Sequence, residues 1–321
     1  MQHHFHPIVL MIDKPEGMSS NDVLRKIKFV IPRQLKRIIK IGHFGTLDPF
    51  ASGLLMVGLG QACRFADLVN STMPKTYLAK GLIGIETDTG DLTGSPMVSD
   101  WPPSTQLEAD QFSNSISLFT PRYAQSVPHF SAAKFEGKAL YKWARQGIKI
   151  ERPAVERDIY QLSIKQIAAL TVDFRATVSS GTYIRQLWQD WAEKCGHRGH
   201  LTQLRRVAIG EFLAENALSV EAACQLLKNE LPKLSQNSAC LEIEHVLNFP
   251  RLNLNGEASL RRFLTGARLR IIPENFVECP DQLFGSTWIT WQGKVIGYAQ
   301  VRNDAACYPQ IVFGQPEQEI T

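Results

Sequence analysis

Five apolar residues in a row, Ile8 to Ile12, predict a short buried strand near the start of the chain. After the polar stretch DKPEGMSS, the residues Val23, Leu24, Ile27, Val30 and Ile31 recur at helical spacing. Ser20 or Asn21 is placed to cap that helix. Arg25, Lys26 and Lys28 lie off its apolar stripe and so face solvent or a partner. Residues 76–85, TYLAKGLIGI, read as a strand, followed by the turn-rich ETDTGDLTG and a polar segment over residues 95–115. Further on, Val172, Phe174, Ala176 and Val178 alternate with polar residues, which is the period of a half-buried strand. The chain then passes through SGTY into a helix on which Ile184, Leu187, Trp188, Trp191, Ala192 and Cys195 share one face, with Gly196 as its stop. SVEAACQLLKNELPKLSQNSACLE reads as a short helix running into a polar, proline-containing linker. STWITWQGKVIGYAQV reads as two strands around Gln292-Gly293. The pattern mixes α and β and puts a domain boundary near residue 250, giving domains over 1–250 and 251–321.

A chain of 321 residues suits two domains. Its net charge of +4 says little about partners, whereas the distribution of charge says more. Arg25, Lys26, Lys28, Arg33, Lys36, Arg37 and Lys40 fall between Asp22 and Asp48 with no acid among them. Such a block suits a polyphosphate surface, or else a solvated helix face. The six cysteines are scattered with no C-x-x-C pair, which disfavours a disulfide framework or a zinc ribbon and suits reduced thiols. Cys195, His197 and His200 come nearest to a metal cluster but lack a fourth ligand nearby, and His3, His4 and His6 suit only adventitious binding. The run Ile8–Ile12 is too short to span a membrane. These features predict a soluble, cytoplasmic protein.

One acid is out of place. Asp48 sits in KIGHFGTLDPFASGLL among glycines and apolar residues, before a proline. Asp-Pro flanked by Gly42, Gly45 and Gly53 is a turn signal, and a turn alone would explain it. Arg185 is equally odd. It falls in the first turn of its helix, where a positive charge is electrostatically disfavoured, so it calls for an anionic partner.

GHFGTLDP (42–49), KTY (75–77), SGTYIR (180–185) and LTQLRR (201–206), with DKPEGMSS (13–20) and SAAKFEGKALYKWARQG (131–147), occur in the order of the TruB-type tRNA pseudouridine synthases, and residues 8–212 resemble that family. Residues 251–314 are similar to the small PUA-like RNA-binding domain of its bacterial members. The resemblance implies an α+β fold, with a mixed, largely antiparallel sheet, flanking helices and a small β-rich C-terminal domain. It implies isomerisation of uridine 55 in the T-loop of tRNA to pseudouridine, without metal or organic cofactor, by a stand-alone monomer with no obligatory protein partner. A uridine stacked in a folded loop must be flipped out to react, at a cost of a few kcal/mol that an aromatic platform offsets.

By the same resemblance Asp48 is the catalytic carboxylate, Arg185 its charge partner and Tyr77 the ring that stacks on the flipped base. His43 stands near the flipped nucleotide, and Tyr183 and Leu204 line the uracil pocket. Arg64, Lys134, Arg205 and Arg206 join the 25–40 block as RNA-backbone contacts. The chain departs from the family pattern at Cys63-Arg64, where Thr-Lys is common, at Val127 for proline, and at Phe130 for tyrosine. Two other readings compete: a non-catalytic tRNA-binding or folding protein, and a synthase acting on another RNA. A metal-dependent hydrolase needs clustered ligands that the sequence lacks.

Overall fold

The computed structural model describes residues 7–36, 39–97, 109–277 and 284–313. Strand β1 (Ile8–Lys14) leads into helix α1 (Ser20–Val30). Ser19 caps α1, one residue before the expected position, in a reciprocal capping box with Asp22. Strands β2 (Ile41–Phe44) and β3 (Ser52–Leu59) flank the loop that holds Asp48. Gly42 therefore lies in β2, while Gly45 in the loop and Gly53 near the start of β3 take left-handed φ of 92° and 108°. Helix α2 (Ala66–Thr72) precedes β4 (Lys75–Ile83). Next come β5 (Arg122–Gln125), β6 (Val155–Ala168), β7 (Thr171–Val178), α3 (Ile184–Lys194) and β8 (Gly199–Ile209).

Two further strands, β9 (Leu218–Ser219) and β10 (Cys240–Glu242), join the main sheet, with helix α4 (Val220–Asn229) between them, and residues Phe212–Leu213 pair with the end of β8. The strand order is β9-β1-β3-β8-β4-β7-β6-β5, with β2 against β3 and β10 against β1. The sheet is mixed and largely antiparallel, as expected. The β3–β8 and β1–β9 pairs are parallel. Both faces are covered. Ile8, Leu10 and Ile12 of β1 enter a core with α1, α3 and α4, while Val9 and Met11 enter a second core on the opposite face. The expected linker after α4 is a packed segment, because β10 pairs with β1 and Leu234 and Cys240 are buried. Part of the expected polar segment, Ala109–Ser115, is helical, and its Phe112 stacks on Trp188.

A second sheet is built from β11 (Arg251–Asn253), β12 (Leu269–Arg270), β13 (Gly285–Trp291), β14 (Lys294–Arg302) and β15 (Ala306–Val312), in the order β11-β13-β14-β15-β12. Helix α5 (Gly256–Leu264) packs Phe263 into its core. The hairpin at Gln292-Gly293 has φ of 50° and 80°, as a primed turn requires. Trp288 and Tyr298 of this sheet pack on Phe65, so the second core is shared with the main sheet.

Gly53 fixes the approach of β3 to β8. A Cβ there would lie 2.2 Å from the Arg206 carbonyl oxygen, and its φ is left-handed. Gly53→Ala is expected to destabilise the chain by about 2 kcal/mol or more, since backbone cannot yield as a side chain does. Urea unfolding measures this, and an unchanged midpoint would refute it.

Candidate active site

The loop between β2 and β3 is held from several sides before any ligand arrives. Ser20, at the start of α1, accepts from Leu47 N (2.9 Å) and donates to Leu47 O (3.1 Å). Gly17 N donates to Pro49 O (2.8 Å), and Ala51 N to Asp48 O (3.1 Å). Lys14, fully buried, donates to the carbonyls of Pro15 (2.9 Å), Met18 (2.7 Å) and Ala51. Burial lowers its pKa to about 8. Arg206 donates from Nε to Leu54 O (2.7 Å) and from Nη2 to Gly45 O (3.0 Å). These bonds engage main-chain groups and leave the Asp48 carboxylate for other partners.

That carboxylate meets Arg185. Arg185 Nε lies 2.7 Å from Asp48 Oδ2 and 3.7 Å from Asp91 Oδ2. Nη1 donates to Thr89 O, and Nη2 to Phe130 O (2.9 Å). The Arg185 side chain is 4% exposed and that of Asp48 35%, so the guanidinium is structural on three sides and presents the carboxylate on the fourth. The anionic partners that its helix position called for are Asp48 and Asp91.

Asp91 was not legible in the sequence as a site residue. It is 5% exposed, and its carboxylate accepts from Thr89 Oγ1 (3.0 Å), Thr93 N (2.9 Å) and Thr93 Oγ1 (2.5 Å). The only local signal was an Asp two residues before a Thr, which many turns share.

Two cavities converge on Asp48. One, of 440 Å3, is lined by His43, Tyr77, Ser131, Tyr183, Leu204 and Arg206, among others. The other, of 400 Å3, is lined by Asn21, Thr89, Phe130, Tyr141, Arg145 and Arg185, among others. Both fall in the range of small-molecule sites, about 300–1,000 Å3. Tyr77, 8% exposed, sits in a central strand opposite Arg206 and Ala176, and Leu204 is 5% exposed on the next strand. His43 is half-buried. Burial, and then the charge of Arg206, lower its pKa, which keeps it neutral at pH 7, and its Nδ1 has no hydrogen-bond partner. The structure thus brings together Asp48, Arg185, Tyr77, His43, Tyr183 and Leu204. A larger open groove of 880 Å3 between α1 and α4 is not lined by Asp48, and of the charges on its rim Arg25 pairs with Asp22 and Lys26 with Glu221.

The cationic residues separate into groups. Arg25 pairs with Asp22, and Lys26 lies 3.6 Å from Glu221. Lys28, Arg33, Lys40 and Lys134 are exposed. Lys36 donates to Phe29 O (3.0 Å), and Arg37 lies outside the described residues. Arg64 is exposed and reaches Gln310 O (3.3 Å) in the second sheet. Arg205 makes a two-point pair with Asp13, at 3.0 and 2.8 Å. Arg206 corrects the expectation of a phosphate contact. It is 1% exposed and its Nε and Nη2 bond carbonyls on either side of the Asp48 loop, so it is an internal strut. Cys63 donates to Gly58 O (3.1 Å), so the thiol supplies a weak bond in place of the hydroxyl that a threonine would carry. Cys195 contacts Ser115 and His200 Nδ1 contacts Ile85 O (2.7 Å), so these two do not form a ligand set.

The fold is shared with solved structures. A structure described as a Cbf5-Nop10-Gar1 complex superposes with a TM-score of 0.69 at 21% identity, over 100% of this chain and 88% of that one. One described as an H/ACA RNP bound to a substrate RNA containing 2'-deoxyuridine gives a TM-score of 0.66 at 19% identity, over 98% and 87% of the two chains. The class is set by sequence: it is that of the pseudouridylate synthases. Residues 33–184 match the TruB family pseudouridylate synthase N-terminal domain. A tRNA pseudouridine synthase B of Cupriavidus metallidurans is 35% identical over 303 residues, covering 92% of this chain and 91% of the relative. One of Geobacter sulfurreducens is 38% identical over 218 residues, 68% of this chain and 69% of the relative. This chain belongs to the TruB family of pseudouridine synthases. Among its described residues no helix is long and apolar enough to cross a membrane.

Proposed function

We propose that the chain isomerises uridine 55 in the T-loop of tRNA to pseudouridine, with Asp48 as the catalytic carboxylate. The observation that carries this reading is the Asp48–Arg185 contact of 2.7 Å at the meeting point of two cavities. The reaction breaks N1–C1' and forms C5–C1'. The C5 proton leaves, and N1 ends protonated. Cleavage builds positive character at the sugar, which a carboxylate stabilises or traps. Arg185, fixed by two carbonyls and Asp91, orients that carboxylate. Tyr77 supplies the stacking face, and Tyr183 and Leu204 the walls. His43, neutral and with Nδ1 unpartnered, offers a hydrogen-bonding group without adding charge. A phenol is a poor base at neutral pH, so Tyr77 serves by stacking more than by proton transfer.

In this reading the unit from residue 251 onward is a second RNA-binding domain, and the protein acts as a monomer in the cytoplasm. The test is release of tritium from C5-labelled uridine in an unmodified tRNA transcript. One equivalent per tRNA is expected, and none when position 55 is cytidine. Binding without release would favour the tRNA-folding reading.

Among the basic residues, those with no acidic partner among the described residues carry the phosphate contacts. Replacing Lys28, Arg33 and Lys40 together by Gln is expected to weaken tRNA binding and to flatten its salt dependence, the log–log slope falling by about 0.7–0.9 for each phosphate no longer neutralised. Replacing Arg25 and Lys26, already paired with Asp22 and Glu221, should do less. Filter binding across a salt series decides, and an unchanged slope for the triple variant removes the block from the interface.

A further inference from the structure

Gln125 ends β5, directly before the segment that supplies Phe130 and Ser131 to the two cavities. It is 1% exposed. Its amide makes a two-way pair with the main chain of Tyr183. Tyr183 N donates to Gln125 Oε1 (2.8 Å), and Gln125 Nε2 donates to Tyr183 O (3.0 Å). Tyr183 is the N-cap residue of α3 and has no side-chain capping bond, and Arg185 follows two residues later. Gln125 Nε2 also donates to the Tyr123 hydroxyl. Near that hydroxyl lies Asp190, whose charge adds to burial in holding the Tyr123 phenol above its usual range, and which accepts from Gln186 Nε2 (2.8 Å). Because the Tyr183 N–H can only donate, Oε1 must face it, and the chain of bonds leaves the Gln125 amide a single orientation.

We infer that Gln125 is a positioning residue for the isomerisation: it registers the start of α3, with Tyr183 and Arg185, against the segment that covers the substrate. The inference rests on the reading of Asp48 and Arg185 as the reacting pair. The physical need is specific. A helix that begins with a buried arginine works against its own dipole, so the first turn must be held from outside. Arg185 is itself tied to the covering segment through Phe130 O. Gln125 makes the second tie, so the two ends of the covering segment's approach to α3 are fixed together. A misplacement of about 1 Å at a reacting group can cost about 100-fold in rate.

The test compares Gln125→Ala and Gln125→Glu with the wild type in the full chain, using a C5-tritiated tRNA transcript under single-turnover conditions, with tRNA affinity and urea unfolding measured beside it. Gln125→Ala is expected to lose about 10- to 100-fold in rate while tRNA affinity stays within about threefold. Gln125→Glu is the same shape. Ionised, it turns a carboxylate oxygen onto Tyr183 O. Protonated, it restores both bonds. Burial raises the pKa of such a group toward neutrality, so the rate of Gln125→Glu relative to wild type should climb as pH falls from 8 to 6. The ionisable groups on this network are Tyr123, which Gln125 bonds, and Asp190 and Arg157, whose charges act on Tyr123. A folded Gln125→Ala with wild-type rate overturns the inference. So does a flat relative pH profile for Gln125→Glu, or a rate loss that merely follows lost affinity. If the wild type releases tritium and these outcomes occur, this inference alone fails. If the wild type releases none, the underlying reading fails with it.

Discussion

Asp48→Asn is expected to abolish pseudouridine formation, with the single-turnover rate falling by at least about 10,000-fold, the scale of losing a group that acts directly on the reacting atoms. The fold should survive the change. The loop that carries Asp48 is fixed by the main-chain bonds of Gly17 to Pro49 and Ala51 to Asp48, and by Ser20 on Leu47. None of these uses the carboxylate. Arg185 would retain Asp91 at 3.7 Å, together with the Thr89 and Phe130 carbonyls, so it would not be left as an unpaired buried cation. Affinity for tRNA, which comes mostly from phosphate contacts, should therefore stay close to that of the wild type. The measurement pairs tritium release with filter binding. Turnover by Asp48→Asn would remove the carboxylate from the mechanism.

Arg185→Lys should be the next most severe change, with a rate loss of about 100- to 1,000-fold. The charge is kept, but the geometry is not. Arg185 meets Asp48 with Nε, Thr89 with Nη1 and Phe130 with Nη2, three directions set by one planar group. An ammonium on a flexible stem cannot reproduce that fork. Asp48 would lose its fixed orientation even if the ion pair formed. Lysine is the informative variant because Arg185→Met confounds two effects. It would leave Asp91, 5% exposed, with its Thr89 and Thr93 hydrogen bonds but no buried counter-charge, at a cost of up to about 3–5 kcal/mol in stability. Single-turnover rates and urea unfolding on both variants separate the roles. A Lys variant with full activity would leave Arg185 as a structural bridge only.

The position of Asp91 explains why the site was only partly readable from the chain. Asp48 and Arg185 each violated a local rule: a carboxylate among glycines and apolar residues, and a cation at a helix N-terminus. Such violations are visible in one dimension. Asp91 violates nothing locally, because acids and threonines are common in turns, and only its burial against Arg185 marks it. Gln125 is similar. Locally it is an ordinary polar residue, and its partner Tyr183 lies far along the chain. Arg206 misled in the opposite direction. The resemblance implies an RNA-backbone contact for it as for Arg205, yet neighbouring residues in a strand point to opposite faces. Arg205 went to the rim with Asp13, and Arg206 went under the loop.

What the sequence by itself determined was the set of elements: the β1 strand, the α1 and α3 helices, the hairpin at Gln292-Gly293, and the mixture of α and β. Those depend on periodicity and on turn chemistry, which are local. The ordered motifs also marked Asp48, Tyr77 and Arg185 as residues with a shared task. The tertiary structure alone decided which groups meet. The parallel register of Arg206 opposite Gly53, the docking of α3, and the return of β10 onto β1 are long-range pairings. They place Asp91 behind Arg185 and Gln125 behind Tyr183, and they pack the segment after α4 that composition alone marked as a linker. Hydrophobic periodicity records which side of an element is buried. It carries no record of what that side is buried against.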